Sequence, residues 1–303
     1  MRTRRPPLIS VVAPVYNNAA QLPQLIAELA ESLQRNRVEV ILVDDGSVDN
    51  SWATIRQLKA SYHGRMAVRG IRLSRNFGQH RALCAGLEAA RGDYVFTLDA
   101  DLQDDPAYMP SMLALALSGY EIVHARRRAR LFNARHLISL CVYLIVTKVS
   151  EIPLHPGMGN YKLLSRKALQ AALEFRTYEP LLELMVAHAG FKPGFVDVIR
   201  RPRPGTASAY SFRAAIGFIL NLMVNYSSLF FQTLVLVGTF CLIGAPLLLI
   251  LLASSKYFPL IASLVLSLQA SMLLIAAGIT GYYIRNLQKL GRKWPVYVVE
   301  EII

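Results

Sequence analysis

The sequence predicts an α/β domain built on a parallel sheet, followed by a pair of helices that cross a membrane. Three observations carry this expectation. β-rich runs alternate with helical stretches through the first hundred residues. Polar clusters recur at the carboxyl ends of those runs, where open α/β sheets bind ligands. Two long apolar segments without a single charge stand near the C-terminus.

Leu8–Pro14 is the first strand, and a helical stretch follows from about Ala20 to Asn36. Val38–Val43 is a second, buried strand that runs into Asp44-Asp45-Gly46-Ser47. A helix is expected from about Asn50 to Tyr62, a third strand over Met66–Leu73, a helix over His80–Ala90 and a fourth strand over Asp93–Leu98. Four polar clusters sit at the strand ends: Tyr16-Asn17-Asn18, Asp44-Asp45, Ser74-Arg75-Asn76 and Asp99-Ala100-Asp101. No glycine-rich phosphate loop of either common type is present, which argues against a dinucleotide dehydrogenase and a P-loop nucleotidase.

Leu229 to Ala253 is a run of 25 uncharged residues, and Tyr257 to Ile284 a run of 28. A bilayer core needs about 20 apolar helical residues. The connection Ser254-Ser255-Lys256 is too short for a domain, so the two form a hairpin. Arg200, Arg201, Arg203 and Arg213 precede it, and Arg285, Lys289, Arg292 and Lys293 follow it, whereas the connection carries only Lys256. The positive-inside rule then puts both flanks, and with them both termini, in the cytoplasm. The expected organisation is a cytoplasmic domain over 1–210, membrane helices over 229–253 and 257–284, and a cytoplasmic tail over 285–303. Across 211–228, Phe212, Ile216, Ile219, Leu220 and Met223 recur at helical spacing. They suggest an amphipathic helix at the membrane surface or a helix packed on the domain. Arg2, Arg4 and Arg5 look like the start of a signal peptide, but Pro6-Pro7 and a short, strand-like apolar run argue against one.

Composition agrees. Of 303 residues, 53% are hydrophobic and only 17% charged, below the quarter usual for a soluble domain. Lys+Arg 33 against Asp+Glu 20 gives a net charge of +13, which calls for a polyanionic partner: nucleic acid, an anionic bilayer or phosphorylated substrates. No RNA- or DNA-binding signature accompanies the charge, so nucleic acid is not the expected partner. Cys84, Cys141 and Cys241 are far apart and odd in number, and read as reduced packing residues.

Asp99-Ala100-Asp101 carries the sharpest chemistry. Two carboxylates one residue apart, just past an apolar strand, suit a hard divalent cation, Mg²⁺ or Mn²⁺, whose shell substrate phosphates complete. An acidic turn in solvent is the plain alternative, but the second acidic pair at Asp44/Asp45 favours a site. Arg126, Arg127, Arg128 and Arg130 form one basic run, and Arg200, Arg201 and Arg203 another. Between Pro106 and Tyr178 the only carboxylates are Glu121, Glu151 and Glu174. That bias suits phosphate held by arginine, or attraction to anionic lipid.

These residues give the chain a resemblance to family 2 glycosyltransferases of the polyprenyl-phosphate type. That group includes dolichol-phosphate mannose synthases and bacterial undecaprenyl-phosphate glycosyltransferases. The resemblance is carried by Ser10 to Asn17, by Val43-Asp44-Asp45-Gly46-Ser47, by Leu73 to Leu83 and by Leu98 to Pro106. It continues at Gly159 to Arg166, at Arg203…Ser208-Ala209-Tyr210 and at Arg292 to Tyr297. It implies a GT-A nucleotide-diphospho-sugar domain and a homo-oligomer, for which Gly238, Gly244, Gly278 and Gly281 would permit helix packing. Pro14, Tyr16, Asn18, Asp44 and Asp45 would hold base and ribose, while Asn76 and Gly78 would line the donor pocket. Asp99, Ala100 and Asp101 would meet the donor, and Asp99, Asp101 and Gln103 the metal, Mg²⁺ or Mn²⁺. Arg126, Arg130, Arg203 and Ser208 would face the lipid phosphate or the diphosphate, with Asp99, Asp101, Arg126 and Arg203 as catalytic groups. The implied donor is a UDP-sugar first, with GDP- or dTDP-sugars as alternatives; the acceptor is a polyprenyl phosphate in the inner (plasma) membrane, and the product has inverted configuration. A lipid-phosphate oxygen is already anionic and needs no general base. A glycolipid hydroxyl would need one, from Asp104, Asp105 or Glu179. A non-catalytic scaffold is the remaining alternative. The chain departs from the family pattern at Asn18, at Asn160 in Gly159-Asn160-Tyr161-Lys162, at Gly205, at Ala209 and at Tyr282. Most of these fall on the acceptor side and mark a less common subgroup.

Overall fold

The computed structural model describes residues 6–127, 159–175, 180–201, 228–251, 253, 256–291 and 295–303. They fall into two compact units, the first holding the sheet and residues 295–303, the second the two long C-terminal helices.

The sheet-bearing unit starts with β1 (Leu8–Val15), α1 (Leu22–Ser32), β2 (Arg37–Asp44), α2 (Ser51–Ser61), β3 (Met66–Leu73), α3 (Gln79–Ala89) and β4 (Tyr94–Thr97). A single 3₁₀ turn at Pro106–Tyr108 leads into α4 (Met109–Leu117) and β5 (Ile122–Arg127). Then come β6 (Lys162–Ser165), α5 (Arg166–Glu174), α6 (Leu182–His188) and β7 (Pro193–Val198). After the helical unit, the chain supplies β8 (Val299–Ile302). The seven elements expected up to Leu98 are all present, with ends shifted by a few residues, as frayed termini permit.

The strand order is β7-β5-β6-β4-β1-β2-β3-β8. β1 pairs in parallel with β2 and β4, and β2 with β3, so the first hundred residues build the parallel sheet expected. The whole sheet is mixed, which corrects that expectation. β6 runs antiparallel to both β4 and β5, and β8 runs antiparallel to β3. Both strands lie beyond Leu98, where the alternation of strand and helix signals ceases.

Side chains alternate across the sheet with the period of two that a strand imposes. Val38, Val40 and Leu42 of β2 join Ile9, Val11, Ala13, α1 and α2 on one face. Ile41 and Val43 join Val12, α3, α5 and α6 on the other. The result is a sheet between two helical layers. Each fully buried leucine or isoleucine stabilises it by about 1.5–3 kcal/mol. The layers leave the carboxyl ends of β1, β2, β3 and β4 at one edge, and their loops make the site described below.

One buried charge pair braces the sheet. Lys162 of β6 is fully buried, and its Nζ lies 2.8 Å from Glu183 Oε1 of α6. Burial alone would raise the Glu183 carboxyl, but the Lys162 ammonium, with His80 adding, holds it down at about 2. A carboxyl below its unfolded value of 4.5 contributes stability that is present above that value and is lost as pH falls towards 2. We expect the full chain to lose on the order of 3 kcal/mol from this group over that window. The check is denaturant titration of wild type and Glu183→Gln at several pH values. The variant should be less stable at neutral pH, and the gap should close on acidification; a gap independent of pH would refute the assignment.

In the second unit, α7 (Ser228–Leu251) and α8 (Phe258–Gly291) pack together. Gln269 Nε2 donates to the Cys241 carbonyl at 3.0 Å, and Cys241 Sγ sits 3.7 Å from Met272 Sδ. Among the described residues, one helix, Phe258–Arg285, is long and apolar enough to cross a membrane, and none of it is buried. Exposed Leu264, Leu273 and Leu274 give it an apolar surface of the kind that marks a membrane or partner contact. The expected helix at 211–228, apart from Ser228, and Ser254 and Ser255 of the connection lie outside the described residues.

Candidate functional site

A cavity of about 260 Å³ opens where the parallel strands end. It is lined by Pro14 and Val15 at the end of β1 and Tyr16 and Asn18 just after it, by Asp45 after β2, by Asn76 and Gly78 before α3 and Gln79 at its start, and by Asp99, Ala100 and Asp101 after β4. Nine of the expected donor-pocket residues therefore lie around one space: Pro14, Tyr16, Asn18, Asp45, Asn76, Gly78, Asp99, Ala100 and Asp101. Val15 and Gln79 are additions. Gln79 directly follows the expected Gly78, and its first-turn position on α3 was the available signal.

The loops after β1 and β2 are stitched together. Asn17 takes up a left-handed backbone with φ 55°, a conformation that asparagine tolerates. Its amide donates to Ser47 Oγ at 3.0 Å, and its side-chain oxygen accepts from the Val48 amide at 3.0 Å. The Asn18 amide donates to Ser51 Oγ at 3.0 Å, and the Ala19 amide to Asp49 Oδ2 at 3.1 Å. Burial alone would raise the Asp49 carboxyl, but the Ser51 hydroxyl and the Ala19 and Ser51 amides hold it below the usual carboxylate range.

Asp44-Asp45-Gly46-Ser47 divides its labour. Asp45 reaches across to the next loop, where Oδ1 accepts from the Phe77 amide at 2.7 Å and Oδ2 from the Gly78 amide at 2.9 Å. Burial pushes the Asp45 carboxyl up, and those two amides and Arg81 counter it. Gly46 has φ +67° and backs onto the same loop: a Cβ there would sit 2.5 Å from the Arg75 carbonyl carbon. Only glycine allows this approach. Gly78, at φ +98°, turns the chain into α3. Asp44 does not line the cavity. It is fully buried, accepts from the Ser47 amide at 3.1 Å and lies 3.6 Å from Arg72 Nε. Adjacent residues leaving a strand point to opposite sides, which separates Asp44 from Asp45.

Asp99 and Asp101 both face the cavity. Asp99 Oδ1 accepts from Gln79 Nε2 at 2.6 Å and from Asn160 Nδ2 at 3.1 Å. Asp101 Oδ1 accepts from the Gln103 amide at 3.2 Å. Leu102 then takes φ 62° and turns the chain inward, so Gln103 is buried and is not among the cavity-lining residues. The donor set is all oxygen, which suits Mg²⁺ or Mn²⁺. Among the described residues no three His, Cys, Asp or Glu side chains cluster as a complete metal cage. Two aspartates with substrate oxygens completing the shell is the arrangement this wall fits.

The arginines are less gathered. Arg126 is exposed on β5, donates from Nε to Asp197 Oδ1 at 2.7 Å and stacks over Phe195; it does not line the cavity. Arg201 is bound by two carboxylates, Glu28 at 2.7 Å and Asp105 at 2.9 Å, and its amide donates to the Gln103 carbonyl. It braces the acidic loop. Arg130, Arg203 and Ser208, and the base candidate Glu179, lie outside the described residues.

Comparison with known proteins follows the same pattern. The model of Glycosyl transferase family 2 matches residues 10–171. The chain is 32% identical to the undecaprenyl-phosphate 4-deoxy-4-formamido-L-arabinose transferase of Proteus mirabilis, over 97% of this chain and 94% of that one. It is 33% identical to the protein of the same name from Pseudomonas aeruginosa, over 98% and 90%. Among solved structures, the fold is similar to that of a mannosyltransferase from Pyrobaculum calidifontis in complex with GDP-Man and Mn²⁺. The TM-score is 0.51 at 18% identity, over 95% of this chain and 88% of that one. It is also similar to glucosyl-3-phosphoglycerate synthase from Mycobacterium tuberculosis, with TM-score 0.51 and 21% identity over 72% and 80%.

Proposed function

The chain belongs to glycosyl transferase family 2, and on that premise we propose a membrane-anchored enzyme that moves a sugar from a nucleotide-sugar to a polyprenyl phosphate. Undecaprenyl phosphate is the acceptor in first place, and transfer inverts the anomeric centre at the cytoplasmic leaflet. The observation that carries the donor half is the cavity at the strand ends, with Asp45 on one wall and Asp99 and Asp101 on another. The acceptor half rests on the names of relatives similar over almost the whole chain. One apolar helix, Phe258–Arg285, supports the membrane anchor, and the second apolar run, 229–253, would complete a hairpin.

In this reading a phosphate oxygen of the lipid attacks the anomeric carbon, and the bond to the nucleoside diphosphate breaks. The acceptor oxygen is anionic already, so it needs positioning and no general base. The acids of the site fit that demand. Of the base candidates, Asp105 is tied to Arg201, which ill suits it to take a proton. Mg²⁺ or Mn²⁺ at Asp99 and Asp101 would supply charge stabilisation for the departing diphosphate. Arg130, Arg203 and Ser208 remain the proposed phosphate-facing groups. Arg126 would join them only by leaving Asp197.

Detergent-purified full-length protein, given UDP-, GDP- and dTDP-sugars with Mg²⁺ or Mn²⁺ and undecaprenyl phosphate, tests this. The expected result is a lipid that gains one sugar mass, and no product once EDTA is added. Nucleotide release with glycolipid extracts, and none of that product with any donor, would move the acceptor to a hydroxyl.

A further inference from the structure

Asp99 is held from two directions. Gln79 Nε2, in the first turn of α3, and Asn160 Nδ2, just before β6, both donate to the same oxygen, Asp99 Oδ1, at 2.6 and 3.1 Å. Asn160 is itself tied down, because Thr97 Oγ1 at the buried end of β4 donates to its carbonyl. Thr97 and Lys162 are register partners, and the Lys162–Glu183 pair anchors that stretch of β6. Strand β4, the turn after it and the start of β6 therefore close a loop around one carboxylate, and α3 adds the second donor.

We propose that Gln79 and Asn160 are positioning residues that fix the plane of the Asp99 carboxylate for the nucleotide-sugar and its metal. The proposal rests on the donor reading above. Both donors are neutral amides, so they orient the carboxylate without cancelling its charge. An sp² oxygen has two lone-pair directions, and two amides occupy both at Oδ1. Such an oxygen is a poor ligand for a hard cation. Asp99 would thus meet a divalent ion through one oxygen at most, which leaves Asp101 as the principal protein ligand. Groups that orient ligands in this way typically change metal affinity or activity by about 10- to 100-fold when removed.

The test uses full-length Gln79→Ala, Asn160→Ala, the double variant and Asn160→Asp. Mn²⁺ binding in the presence of UDP, without acceptor, is read by electron paramagnetic resonance, and donor kinetics are measured in parallel. Each alanine variant should weaken Mn²⁺ binding by about 10-fold or more. The double variant should lose less than the product of the singles, because both act on one oxygen. Asn160→Asp keeps the shape and loses the donor, so it should be at least as impaired as Asn160→Ala; a packing role would leave it near wild type. Mn²⁺ affinities within twofold of wild type for both singles, or a fully active Asn160→Asp, would overturn the clamp. If wild type binds Mn²⁺ and UDP with this sensitivity yet transfers no sugar, the clamp stands and the functional reading falls.

Discussion

Replacing Asp101 with alanine is expected to lower kcat/KM for sugar transfer by about 10³-fold while the protein stays folded. By transition-state arithmetic that is about 4 kcal/mol of lost stabilisation. The size follows from where charge develops. In the proposed reaction, departure of a nucleoside diphosphate would build negative charge at the wall lined by Asp99, Ala100 and Asp101. A divalent cation held there would be the largest local countercharge, and with Asp99 Oδ1 taken by Gln79 and Asn160, Asp101 would carry more of its ligation. Folding should survive, because Asp101 is half-exposed in a turn beyond the end of β4 and outside both apolar core clusters. Asp101→Asn separates charge from shape. It retains an acceptor for the Gln103 amide, and it should be nearly as inactive as Asp101→Ala. Steady-state transfer assays with a thermal melt of each variant check this. A variant that keeps more than a tenth of wild-type turnover would remove Asp101 from the chemistry.

What the sequence made legible follows from where the signal is local. The strands up to Leu98 are buried apolar runs bounded by turn residues, and such runs announce themselves. The cavity was legible for the same reason: its walls are the residues just past those runs, and the sheet brings them to one edge. Asp44 reads as one of them yet lies off the cavity, because only the strand pleat separates it from Asp45 and a doublet of identical residues conceals which one turns inward. Gln103 shares a loop with Asp101, yet the left-handed Leu102 turns the chain between them, and nothing in the composition of a leucine signals a positive φ. The pairing of Arg126 with Asp197 and of Arg201 with Glu28 joins residues up to 173 apart in sequence. Runs of arginine read as phosphate sites until their distant carboxylates are seen. The antiparallel strands β6 and β8 were hidden because charged residues interrupt them, Lys162 in β6 and Glu300-Glu301 in β8, whereas the equally short β4 is an uncharged run that ends at an acidic cluster.

Deleting residues 296–303 from the full chain is expected to lower the melting temperature of the sheet-bearing unit by roughly 6–15 °C. These residues read as a tail, yet they form the last strand of the sheet. The Gly70 amide donates to the Ile303 carbonyl at 3.1 Å, the Ile303 amide to the Gly70 carbonyl at 2.9 Å, and the Ser74 amide to the Val298 carbonyl at 3.0 Å. Ile303 packs on one core cluster and Tyr297 on the other. Full burial of such a side chain contributes about 1.5–3 kcal/mol; both are partly buried, so their packing and the strand's backbone hydrogen bonds together account for the effect. The polar contacts contribute less. Glu301 accepts from Trp52 Nε1 at 3.0 Å and pairs with Arg56 at 2.8 Å, but that pair is exposed and solvent screening leaves it a small contribution. Ile303→Ala should therefore cost more than Glu301→Ala, an ordering that a charge-dominated strap would reverse. Loss of β8 also leaves the edge of β3 unpaired, and an unpaired edge promotes aggregation. Calorimetry and light scattering on wild type, the truncation and both point variants read these effects together. Arg72 links this strand to the site, lying 3.5 Å from Glu300 Oε2 and 3.6 Å from Asp44 Oδ2, the residue that caps the turn behind Asp45. The truncated protein should accordingly show a raised KM for the nucleotide-sugar at temperatures where it is still folded. A truncation that melts within about 2 °C of wild type, a shift that corresponds to at most about 1 kcal/mol for a domain of this size, would mean that the strand pairs without contributing to stability.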